Sequence, residues 1–166
     1  MIMETKPVSN RMYALLVLFD MHTDYYINAI DGISDDDAHE RLNTKANHVA
    51  WLAGSLVQER YELANIFGLE LKSAADDLFK DHKGIQESER YPALAEYKKD
   101  WKKITPLLRE KLLNATDAEL DKVLEYPGMS FPVFEMTSFD IYREANCIGQ
   151  IALWRRLLGY EPIKYM

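Results

Sequence analysis

At 166 residues, 48% hydrophobic and 28% charged, the chain has the length and balance of one globular domain able to bury a substantial core. Its 27 acidic residues outweigh 20 basic ones, and a formal net charge of −7 argues against a partner with a phosphate backbone, which needs clustered Lys and Arg. No run approaches the ~18 uninterrupted apolar residues of a membrane-spanning helix, and the single cysteine, Cys147, excludes an intramolecular disulfide.

Helical periodicity dominates the pattern. Met12, Leu16, Phe19, Tyr26 and Ile30 recur at three- and four-residue steps or their multiples, which predicts a first helix over 12–30 closed by Gly32. Ser34 followed by Asp35, Asp36 and Asp37 opens a short helix running to about Leu42. A second long helix is expected from Lys45 to Phe67, with Val49, Leu52, Leu56, Leu63 and Ile66 inward and Gly68 at its end. The stretch 69–91 is the longest connection and holds a short helix over 74–80. Pro92 starts the third long helix, whose stripe is Leu94, Tyr97, Trp101, Ile104, Leu108 and Leu112. Pro106 lies inside that helix and should kink it near Lys102 and Lys103.

Further along, Thr116-Asp117-Ala118-Glu119 reads as a capping box. Residues 123–135, with Pro127-Gly128 between apolar pairs, read as extended chain or a small hairpin. The last helix opens at 137–140 and ends at Gly159. Four long amphipathic helices and one long crossover, between the second and third, make an all-α up-down four-helix bundle occupying residues 1–166 as one domain. The beginning, Met1-Ile2-Met3-Glu4-Thr5-Lys6, lacks the basic-then-apolar order of a signal peptide. With the lone cysteine, that leads us to expect a cytoplasmic protein.

Two motifs carry a family resemblance. Asn47-His48-Val49-Ala50-Trp51-Leu52-Ala53-Gly54-Ser55-Leu56 is similar to a second-helix pattern of Asn-x-x-x-Trp-x-x-Gly-His-Leu. The stretch from Arg143 through Cys147, Gly149 and Gln150 to the Arg155-Arg156-Leu157-Leu158-Gly159 ending resembles a last helix that reads His-x-x-x-His-x-Gly-Gln. Together they resemble the DinB/YfiT-like family over residues 8–160. The resemblance implies a four-helix bundle with three histidines around a divalent metal such as zinc or nickel, leaving one coordination position open. It also implies transfer chemistry on low-molecular-weight thiols, or related hydrolysis, and an association with stress. In this chain the three ligand positions fall on Ser55, Arg143 and Cys147. The frame is kept while every ligand is replaced, so no metal cofactor is expected.

A cleft between the second and fourth helices remains, and Trp51, Ser55, Glu59, Arg143, Cys147 and Gln150 are its candidate lining, with Trp154 a further aromatic. Arg143 among polar and aromatic groups is an anchor for a small anionic ligand, unless Glu59 or Glu144 neutralises it. Cys147 reads first as a small core-filling side chain, since free cysteine is among the most buried residue types, while Arg143 one turn back would lower its pKa and suit a thiol-dependent reaction. Of the four histidines, His48 is expected at a helix start, while His22, His39 and His82 stand alone and read as surface residues. The chain is therefore expected to bind a small anionic or thiol ligand, in a stress-associated role. Two alternatives stand beside that reading: a metal- or thiol-dependent transferase with a rearranged site, and a non-catalytic dimerisation module. A homodimer is expected in each case, with no nucleic-acid or membrane partner.

Overall fold

The computed structural model describes residues 6–166, so the reading of the first residues as lacking a leader lies outside the described residues. In chain order the elements are α1 (Tyr13–Ile30), α2 (Asp35–Ala38), α3 (Val49–Ile66), α4 (Asp76–Phe79), α5 (Leu94–Asn114), α6 (Asp117–Leu120), β1 (Val123–Tyr126), β2 (Met129–Pro132) and α7 (Val133–Leu157). The four long helices form the bundle. α1 and α3 each pack against both α5 and α7 and meet one another only slightly, so they face each other across a diagonal. The remaining short helices and the antiparallel β1–β2 hairpin lie in the connections.

α5 follows the helical period closely. Leu94, Tyr97, Trp101, Ile104, Leu108 and Leu112 are all buried, as the stripe requires. The helix runs through Pro106 without interruption. Pro106 and Lys102 both lie on the exposed face, where water can reach the carbonyl that the missing N–H leaves free. At the centre of the core Tyr26 stacks on Trp101 with ring centroids 3.9 Å apart, and Trp101 donates its indole N–H to the Thr23 carbonyl at 3.2 Å.

α3 departs from a simple amphipathic helix, because nearly every position from Val49 to Ala64 is buried, Ser55, Gln58, Glu59 and Arg60 included. It also begins four residues later than the periodicity predicted. Leu42 and Asn43 take positive φ in a turn, and His48 caps the helix by accepting the Trp51 N–H on its Nδ1 at 3.0 Å. Gly54 is required by close approach: a Cβ there would lie 2.4 Å from the Phe79 ring and 2.5 Å from the Tyr97 hydroxyl. That contact seats α4 and α5 against α3.

Other boundaries shift modestly. The short helix after Ser34 stops at Ala38, and the third long helix starts at Leu94, past Pro92. The hairpin is confirmed, with Tyr126 paired to Met129 around Pro127-Gly128, where Gly128 has φ +80°. The last helix starts at Val133 because β2 leads straight into it. The Thr116 capping box forms as expected. No helix among the described residues is long and apolar enough to cross a membrane.

Candidate functional site

Ser55 and Glu59 lie one turn apart on α3, and Asp140, Arg143 and Cys147 succeed each other by about a turn on α7. Because these two helices pack together, the five side chains converge. The Arg143 guanidinium donates to Ser55 Oγ at 3.2 Å and to Cys147 Sγ at 3.9 Å, and pairs with Glu59 Oε1 at 3.5 Å. It thus bridges the positions where the resemblance places the three metal ligands. Arg143 is half-buried, and against the cost of burial its charge is held by Glu59.

A cleft of about 1240 Å³ opens beside this cluster, bounded by α3, the loop after α4, the hairpin and the first half of α7. Of the expected lining, Trp51, Ser55, Glu59 and Arg143 face it. Cys147 lies behind Arg143, buried. Gln150 does not line it: it is solvent-exposed and donates to Asn146 Oδ1 at 2.7 Å. Trp154 is a core residue whose indole N–H donates to the Asn47 carbonyl at 2.9 Å, tying the two sequence motifs together. The rest of the wall is largely apolar, from Phe79, Tyr126, Met129, Phe131 and Phe139.

Two buried carboxyls stand at the inner end. Burial, and then the charge of Asp140, push Glu59 well above the usual carboxylate range, while burial takes Asp140 up to about 7. Two carboxyls buried together cannot both ionise freely, so a proton stays on the pair. Among the described residues no donor reaches Glu59 Oε2, and the Trp51 indole N–H is likewise buried without an acceptor. Asp140 was not singled out in the sequence, where it is one acidic residue among many near a helix start. Its three-residue offset from Arg143 was the available signal.

Cys147 fills the core, as the first of its two readings has it, and the thiolate alternative fails. Burial pushes its thiol up, outweighing the pull of Arg143, so the thiolate is disfavoured. Glu144 is also placed differently: it turns to the other side of α7 and pairs with Arg60, Nε to Oε1 at 2.5 Å and Nη2 to Oε2 at 3.1 Å. His22, expected at the surface, is buried and lies 3.2 Å from Glu144 Oε2 through Nδ1. Arg60 is sandwiched between Phe19 and Trp101, 3.9 and 3.5 Å from the ring centroids, and donates to the hydroxyls of Thr23 and Thr105. Burial opposes charge on Glu144, but Arg60 and His22 outweigh it and hold its carboxyl below the usual range. His39 is only partly exposed, between the carbonyls of Asp35 and Tyr91, and His82 is at the surface.

No family model matches the sequence, and a search of curated proteins returns no match. Among solved structures, a DinB-like protein from Bacillus subtilis, YjoA, is similar with a TM-score of 0.65 at 14% identity, over 91% of this chain and 96% of that one. The fold is DinB-like. Within a DinB-like frame, the donor set at the expected metal position is a poor one for a divalent cation. It comprises a hydroxyl, a single thiol, and a guanidinium that stays charged and has no lone pair to donate.

Proposed function

We propose that this DinB-like chain is a small-ligand-binding protein that has exchanged the metal centre implied by its resemblance for an internal arginine, and that works through the adjacent cleft. The observation that carries the reading is the position of the Arg143 guanidinium, bonded to both Ser55 and Cys147. A fixed cation there opposes a second cation, and the apolar cleft beside it has the size and the few convergent polar groups of a ligand site. A transferase built on Cys147 is less well supported, since a buried, protonated thiol is a weak nucleophile. We place the protein in a reducing cytoplasm, where that thiol persists, and a role under stress is compatible with ligand binding. Thermal-shift screening of the metal-free protein against a small-molecule library tests the reading. Ligands that stabilise the wild type and lose their effect on Phe139→Arg, which blocks the cleft mouth, support it. Stabilisation by zinc or nickel alone refutes it.

One observation favours a second property. Phe139, Tyr142, Leu153 and Leu157 are all more than half exposed along α7. Such a stripe suits a two-fold pairing of α7 faces in a homodimer. Light scattering at micromolar concentration tests it, and a monomeric mass contradicts it.

A further inference from the structure

The ligand class follows from the charge of the cleft, given the ligand-binding reading above. Among the described residues Glu59, Glu62, Asp81, Glu135 and Asp140 line it against Lys83 and Arg143, so the acids still outnumber the cations after the proton that Glu59 and Asp140 share is allowed for. Arg143 is already committed to Glu59, Ser55 and Cys147, so an incoming anion would have to compete with Glu59 while facing the other carboxyls. Glu59 is 7% exposed, and its Oε2 receives no donor from the described residues. A buried carboxyl oxygen in that condition is satisfied by an arriving donor, and a charged donor would also favour ionisation of the proton-sharing pair. Much of the wall is aromatic: Trp51 comes from α3, Phe79 from α4, Tyr126 and Phe131 from the hairpin, and Phe139 from α7. Faces of that kind attract an organic cation and cover an apolar body.

We propose that the cleft takes an amphiphilic amine, its ammonium seated against Glu59 and Asp140 and its apolar body against the aromatic wall. The expected anionic ligand is thereby replaced by its opposite in charge. Nothing in the site requires a reaction: the ammonium donates to the carboxyl pair, and Arg143 keeps its own partners.

The test is calorimetric titration of the wild type with three probes of one shape, phenylbutylamine, phenylbutanol and phenylbutanoate. The amine is expected to bind roughly tenfold or more tightly than the alcohol, the difference expected of a charge-assisted hydrogen bond, with the carboxylate weakest. Glu59→Gln and Asp140→Asn should each remove most of that advantage while leaving the alcohol's affinity in place. Equal binding of amine and alcohol overturns the amine assignment but leaves the cleft as a ligand site. Tightest binding by the carboxylate does the same and makes Arg143 the anchor. Failure of all three probes to bind at millimolar concentration removes both the amine and the ligand-binding reading. If a variant fails to fold, the comparison of probes on the wild type still decides.

Discussion

Glu144→Gln removes the charge that neutralises Arg60 while keeping the size of the side chain. Arg60 is 1% exposed and Glu144 3%, so neither can turn to water when its partner is lost. The guanidinium would keep the Thr23 and Thr105 hydroxyls and the rings of Phe19 and Trp101, but no counter-charge. Removing one partner of such a pair costs about 3–5 kcal/mol. In a domain of this size that corresponds to a fall of roughly 6–20 °C in melting temperature. The double change Arg60→Met with Glu144→Leu should be markedly less damaging than Glu144→Gln. With Arg60 gone, Thr23 still donates to the Phe19 carbonyl and Thr105 to the Trp101 carbonyl, and neither half of the ion pair is left as a buried charge alone. Urea unfolding followed by circular dichroism measures both. A loss below about 1 kcal/mol for Glu144→Gln, or a double variant no better than the single, refutes the argument that an uncompensated charge sets the cost.

Stability should fall as pH rises from about 4 to 7. Glu59 and Asp140 hold a proton in the folded state that the unfolded chain releases near its ordinary range, and Asp140 gives it up only at about 7. The span is on the order of 2–4 kcal/mol, and Asp140→Asn should reduce it, leaving the part that burial of Glu59 sustains, in urea midpoints measured across that window. Glu144 slopes the other way, but only below its usual range, so the two windows separate. Gly54→Ala should cost about 1–3 kcal/mol in unfolding free energy despite alanine's better helix propensity, because Phe79 and Tyr97 must move. The triple change Ser55→His, Arg143→His and Cys147→His should create a three-imidazole site. Its melting temperature should rise with zinc or nickel where the wild type's does not, and a folded triple variant that gains nothing would show that the motifs are aligned wrongly.

The bundle was legible because α5 repeats its apolar residues at the helical period and because the Pro127-Gly128 turn and the Thr116 box have local chemistry of their own. The cleft was legible only through the two motifs, which brought Trp51, Ser55, Glu59 and Arg143 together. What escaped was polar and buried. Arg60, His22 and Glu144 look like ordinary surface residues in a one-dimensional pattern, and their burial depends on three helices meeting around one guanidinium. The start of α3 escaped for a related reason, since His48 acts as a cap through a side-chain acceptor that periodicity does not register. Gln150 was misplaced because the family pattern fixes its register on α7, whereas its orientation depends on where the cleft opens.

Arg143 bonds to Ser55 and Cys147, and in the proposed reading its guanidinium stands where a metal ion would sit. Elemental analysis of protein purified without added metal, followed by calorimetric titration with nickel and with zinc, tests it most directly. The account predicts far less than one transition metal per chain and no saturable heat of binding. One nickel or zinc per chain, retained after dialysis and lost in Cys147→Ala or His48→Ala, would contradict it.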